Sequence, residues 1–274
     1  MRLKDYHRFA EWIWDVESSI SQSIADCASR AWNEDHISYT WLNAMRKNNR
    51  YIGIPSWPRP FSIAWDGYKA DGALEESHGD IAILVKQTFP NKSELLGVGF
   101  LEAKRSYKTS GRYAKIDWAQ LNRQNGNTAH HKLLLYDHDP VILNHHTAWS
   151  GIFPFSHPHP MWEKFAYYCE KYARDFQTYA CVCPSRHAIA YRTRTKKLHE
   201  LCVPLSHQIC LRYFFGHDLD YNPQLVADVL NGVADGIDYL LVAHVSFGEG
   251  GESSVDTIPF NRDAYTQPEN EREQ

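Results

Sequence analysis

The strongest constraint on the fold of this chain is a pair of apolar runs, Ile81-Ala-Ile-Leu-Val85 and Leu95 to Leu101, each bounded by turn residues. Five apolar residues in a row, without alternation, suit a strand covered on both faces, because successive side chains on a strand point to opposite sides. A sheet covered on both faces has helices above and below it, which selects an α/β fold. Gly97 and Gly99 weaken the second run, since glycine packs nothing into a strand. The link between the runs, 86–94, holds Pro90, Asn91 and Ser93. It reads as a loop, so the two runs pair as a hairpin.

The polar ends of these runs are as informative as their apolar middles. Asp80 precedes the first run, and Glu102-Ala103-Lys104 closes the second. Alternation puts Glu102 and Lys104 on one face and Ala103 on the other, and the hairpin brings Asp80 towards Glu102. Charged groups at the ends of buried strands are costly unless paired or metal-bound. Two carboxylates and a main-chain carbonyl are hard oxygen donors of the kind that hold Mg²⁺. The plainer alternative is a set of solvated charges or a weak ion pair.

The segments that follow keep a strand–helix–strand order. A basic link runs from Arg105 to Lys115, a helical segment covers Ile116 to Gln124, and Lys132 to Tyr136 reads as a strand. Upstream, Asn33 to Met45 reads as a helix with Asn33 as its N-cap. Glu34, Ile37 and Trp41, spaced i, i+3, i+7, share one of its faces. The plain reading of Glu34 is that it complements the helix N-terminus.

Asp80 with Glu102-x-Lys104, in this strand context, resembles the PD-(D/E)xK nuclease superfamily and its restriction-endonuclease-like fold. The resemblance covers roughly residues 30 to 137. Gly79 stands where the family carries proline. The resemblance implies metal-dependent hydrolysis of phosphodiester bonds, in DNA ahead of RNA. Asp80, Glu102 and Glu34 would hold Mg²⁺ or Mn²⁺, and Lys104 would act on the attacking water or the phosphate. A glutamine on the helix after E-x-K would orient the site; Gln120 is assigned that place ahead of Gln124. Arg105, Lys108, Arg112 and Lys115 would contact the nucleic-acid backbone. A role in anti-phage defence or restriction follows by resemblance, with a regulatory protein partner or a second copy of the chain to restrain it. The alternatives are an RNase, or a catalytically silent nucleic-acid-binding or adaptor subunit.

Composition sets outer bounds. The 274 residues are 43% hydrophobic and 14% aromatic, enough for a sizeable core. A net charge of −4 argues against a general nucleic-acid coat protein but leaves room for a local basic surface. No apolar run reaches membrane-spanning length and the N-terminus lacks an apolar signal region, so no membrane partner and a cytoplasmic location are expected. The six cysteines match no disulfide framework. Cys181 and Cys183 would share a strand face and pack in the core, with a zinc site including His187 as the alternative. The paired histidines His130-His131 and His145-His146, and the loop His157-Pro-His159, read as surface or partner contacts, His130 and His131 also as phosphate contacts. Arg192, Arg194 and Lys196 would face one way on a strand.

The remaining expectations concern organisation. An amphipathic helix spans 5–27. The stretch from Gly53 to Gly72 reads as a long Pro- and Trp-containing connection, and 150–160 as a second. A helix is expected from Trp162 to Asp175, strands at 179–183, 188–193 and 238–245, and a short helix at 224–231. Trp57, Trp65, Trp149 and Phe155 on the long loops are candidate contact residues, with buried core as the alternative for each. The whole reads as a central mixed sheet flanked by helices. Residues 1–247 form one domain, with a core of about 30–137 and an elaboration over 138–247. Residues 248–274, polar and glycine-rich, read as a disordered tail.

Overall fold

A computed structural model describes residues 3–47, 51–54, 60–70, 78–107, 113, 116–128, 130–143, 177–233, 237–249 and 251–267. Its elements are α1 (Leu3–Ala28), α2 (Glu34–Lys47), β1 (Tyr51–Ile54), β2 (Phe61–Ala70), β3 (Ile81–Thr88), β4 (Glu94–Arg105), α3 (Trp118–Asn127), β5 (Lys132–Ile142) and β6 (Gln177–Pro184). They continue with α4 (Ser185–Ala190), a 3₁₀ segment (Arg192–Leu201), β7 (Val203–Pro204) and α5 (Leu205–His207). The last run is a π-helical stretch (Gln208–Tyr213), α6 (Pro223–Asn231), β8 (Tyr239–Phe247) and β9 (Tyr265–Thr266).

The fold is α/β. Its nine described strands form one mixed sheet in the order β1-β2-β8-β3-β4-β5-β6-β7, with β9 on β2. The pairs β3–β8 and β4–β5 are parallel and the rest antiparallel. The apolar run of β3 splits as strand geometry requires. Ile81, Ile83 and Val85 join the layer containing α1 and α2, where Trp41, Ile20 and Ile37 are fully buried. Ala82 and Leu84 face α6 on the other side. Further along that second face, Leu133, Leu135, Cys181 and Cys183 pack under α3, α4 and the 3₁₀ segment. Gly99 of β4 is needed for packing, since a Cβ there would lie 2.6 Å from the Tyr213 ring.

Several expectations need correcting. Within Gly53–Gly72 lies β2, an inner strand between β1 and β8. Its signal was the alternation Phe61, Ile63, Trp65, all buried in one layer, while the prolines that suggested a loop are confined to 55–60. Trp65 is therefore core, packed against Trp12 and Phe214, and offers no contact surface. Residues 188–193 are not a strand. The chain leaves the sheet at Pro184 and continues as α4 and the 3₁₀ segment. The shared face expected for Arg192, Arg194 and Lys196 rested on a strand, and this segment is helical.

The C-terminal region is more central than expected. β8 inserts between β2 and β3, so part of the 138–247 elaboration forms the middle of the sheet. The stretch expected as a disordered tail is ordered over 251–267. Ile258, Phe260 and Tyr265 are buried against Tyr68 and α6, and the Tyr265 hydroxyl donates to the Val229 carbonyl at 2.7 Å. Three buried anchors suffice to order a segment whose average composition is polar. The expectations for 150–160, for a helix at 162–175 and for His145, His146, His157, His159, Trp57, Trp149 and Phe155 lie outside the described residues, as does 268–274. Among the described residues no helix is long and apolar enough to cross a membrane.

Candidate active site

The β3–β4 register pairs Ile81 with Leu101, which sets Asp80 opposite Glu102 at the end of the hairpin. Asp80 Oδ2 accepts from the Ala103 backbone N–H at 2.5 Å. The Asp80 carbonyl accepts from the N–H groups of Asp238 and Tyr239 at 2.9 and 3.1 Å. The aspartate is thus tied to β4 through its side chain and to the start of β8 through its backbone. Gly79 makes this possible. Its φ is +106°, a region that proline cannot enter, and a Cβ there would lie 2.8 Å from the Leu101 carbonyl oxygen. Glycine at this position therefore has a backbone cause.

Glu102 is 3% exposed, and both its oxygens are taken. Lys104 Nζ donates to Oε1 at 2.7 Å, and Gln124 Nε2 donates to Oε2 at 2.8 Å. Lys104 Nζ also lies 3.9 Å from Glu34 Oε2, while Glu34 Oε1 accepts from the Arg105 N–H at 3.0 Å. Glu34 comes from α2 and Gln124 from α3, so helices on opposite faces of the sheet grip the end of β4.

These contacts fix the electrostatics. Burial pushes the Asp80 carboxyl well above its usual range, and the charge on Glu102 adds to that shift, as does Asp238. Lys104 and the Ala103 N–H oppose it. For Lys104, burial works against the ammonium, but Glu102, Asp80 and Glu34 outweigh it and hold the amine above the usual lysine range. The centre is a cluster of carboxylates around one bridging ammonium.

The structure sorts the sequence-stated residues. Asp80, Glu102 and Lys104 meet. Glu34 reaches Lys104 and the end of β4, and does not join Asp80 and Glu102 in a compact three-carboxylate group; the one compact three-donor group among the described residues lies elsewhere. The glutamine that reaches Glu102 is Gln124, 1% exposed, rather than the expected Gln120, whose backbone N–H donates to the Asp117 cap at 3.0 Å. The signal lay in helix periodicity: Trp118, Leu121 and Gln124 are spaced i, i+3, i+6, and Leu121 is 1% exposed in the core. Arg105 stacks its guanidinium 5.5 Å from the centre of the Tyr107 ring; Lys108, Arg112 and Lys115 lie outside the described residues. His131 is buried, its Nδ1 is 2.7 Å from Ser185 Oγ, and burial lowers its pKa to about 3, so it is not poised to meet phosphate.

Two supporting features carried no sequence signal. The Tyr136 hydroxyl lies 2.8 Å from Ser38 Oγ and accepts from Trp41 Nε1 at 2.8 Å, which locks α2 to β5. Trp32 Nε1 donates to the Ser106 carbonyl at 2.6 Å, fixing the chain just beyond Lys104. Each joins residues more than seventy positions apart.

The donor set suits a hard divalent cation. Asp80 and Glu102 stand opposite each other at the end of the hairpin, and burial first, then the charge on Glu102, penalises the ionised Asp80 carboxylate, a penalty that Lys104 opposes without cancelling. A divalent ion would remove that penalty. Compared with family models, curated proteins and solved structures, the chain matches none of them.

Proposed function

We propose that this protein is a metal-dependent nuclease acting on phosphodiester bonds, DNA ahead of RNA. The observation that carries the reading is the Asp80–Glu102–Lys104 constellation at the paired ends of β3 and β4, with both Glu102 oxygens held by Lys104 and Gln124. Asp80 and Glu102 would hold Mg²⁺ or Mn²⁺. Such an ion supplies an activated water and neutralises charge on the phosphate. Lys104, as an ammonium, would stabilise charge that develops on the phosphate. Gln124 fixes the Glu102 carboxylate. Glu34 holds Lys104 and the end of β4 in place. Arg105 would contact the backbone of the nucleic acid. A defence or restriction role and a restraining partner remain part of this reading.

The test is digestion of single- and double-stranded DNA and RNA with Mg²⁺, with Mn²⁺ and with a chelator, alongside Lys104→Ala. Cleavage that needs the metal and falls by about 10²-fold or more in the variant is expected. Wild type as inert as Lys104→Ala on every substrate and ion would leave the silent binding-subunit reading.

A further inference from the structure

A second group of donors lies away from these carboxylates. Asp137 is on β5, Cys181 is on the adjacent antiparallel β6, and His199 is near the end of the 3₁₀ segment that folds back over them. One carboxylate oxygen, the thiol sulfur and a ring nitrogen all lie within 4.8 Å of one another. Asp137 and Cys181 are buried, whereas the His199 side chain keeps 26% of its exposure. His187, the zinc partner in the alternative reading of these cysteines, is not in the group.

The hydrogen bonding is overcrowded. His199 Nε2 faces Asp137 Oδ2 at 3.0 Å and also the Tyr113 hydroxyl. That hydroxyl lies 2.8 and 3.0 Å from the two Asp137 oxygens. A ring nitrogen offers one proton or one lone pair, so it cannot serve both neighbours fully. A Cys–His–Asp nucleophile relay would place thiol and carboxylate on opposite ring nitrogens and leave the thiol reachable. Here the carboxylate faces Nε2, and Cys181 is 0% exposed. The arrangement converges on one point, as ligands around an ion do. The 3₁₀ run is also ten residues long, well beyond the usual length, which calls for something to hold it.

We propose that Asp137, Cys181 and His199 bind one zinc-class ion that clips the 3₁₀ segment to β5 and β6. Mixed sulfur, nitrogen and oxygen donors select a borderline transition metal over Mg²⁺. Cys181 binds as the thiolate and releases its proton to solvent. A water would complete the four donors such an ion takes. The site shares no ligand with the proposed nuclease centre and does not rest on that reading.

The test uses the untagged full chain, grown with zinc and purified without chelator. Elemental analysis should find zinc near one per chain. After exchange, Co²⁺ should give tetrahedral visible bands and a thiolate-to-cobalt charge-transfer band. Cys181→Ser should abolish that band, and His199→Gln or Asp137→Asn should weaken metal retention by about tenfold or more, since even outer-shell changes cost that much. The double variant Asp80→Asn, Glu102→Gln should retain zinc. Wild type that carries no zinc and shows no charge-transfer band on Co²⁺ titration overturns the proposal, whether or not the variants fold. A band that persists in folded Cys181→Ser overturns it equally.

Discussion

Gln124 donates to the Glu102 carboxylate across 2.8 Å, from a helix on one face of the sheet to the end of its fourth strand. Lys104 occupies the other oxygen of the same carboxylate. Glu102 therefore has one orientation, set by two donors from different elements.

Removing Gln124 should matter more than removing Gln120. Gln124→Ala leaves a buried carboxylate oxygen without its donor, which costs about 1–3 kcal/mol. Glu102 would also lose its fixed orientation, so cleavage should fall. Gln120→Ala should stay within about 0.5 kcal/mol of wild type, the usual range for a substitution away from such features. Denaturant unfolding of both variants, with cleavage rates beside it, decides between the two glutamines.

Asp80 should report metal binding through stability. Its folded pKa is raised above the usual value. Its contribution to stability is therefore complete at low pH and lost as pH rises through the folded pKa, and the ionised metal-free form carries a penalty. Without metal, Asp80→Asn should melt higher than wild type at and above neutral pH. With Mg²⁺ in about hundredfold excess over its Kd, wild type should gain about 2.7 kcal/mol and the variant should gain little. Equal metal-induced shifts in both proteins would remove Asp80 from the binding site.

Glu17 sets a separate pH dependence. It lies on the buried face of α1, accepting from Ser206 Oγ at 2.6 Å and Ser21 Oγ at 2.8 Å. Burial, only partly offset by the hydroxyls, raises its pKa from 4.5 to about 7. Its stabilising contribution is present below pH 4.5 and lost as pH rises through about 7. At about 1.4 kcal/mol per unit, that amounts to about 3 kcal/mol. Glu17→Gln should therefore be more stable than wild type above neutral pH, with the gap closing towards pH 4.5. Thermal melts across that range measure it.

Gly79→Pro is expected to fail. The backbone there has φ +106°, whereas proline is held near −65°. Misfit of this kind costs about 3 kcal/mol or more, and it falls beside Asp80. Loss of solubility, or of both cleavage and several degrees of melting temperature, is the expected outcome. A fully active, equally stable variant would show that the positive φ is dispensable.

The local parts of this protein were legible in its sequence. Side-chain periodicity follows from backbone geometry, so the doubly buried β3, the paired ends of β3 and β4, the Asn33-capped α2 and the face shared by Glu102 and Lys104 could be read from the residues alone. Periodicity also held the answer for β2, in Phe61, Ile63 and Trp65, and for Gln124, three residues beyond Leu121. Tertiary structure alone decided what depends on distant pairing. β8 closes against β3 from more than 150 residues away, and the ordering of 251–267 rests on the surface that β2 and α6 offer to Ile258, Phe260 and Tyr265. The cluster of Asp137, Cys181 and His199 arises only because β6 lies beside β5 and the chain then folds back. Spacing along the chain carries no trace of such contacts, because the free energy that selects them comes from burying surfaces formed elsewhere in the fold.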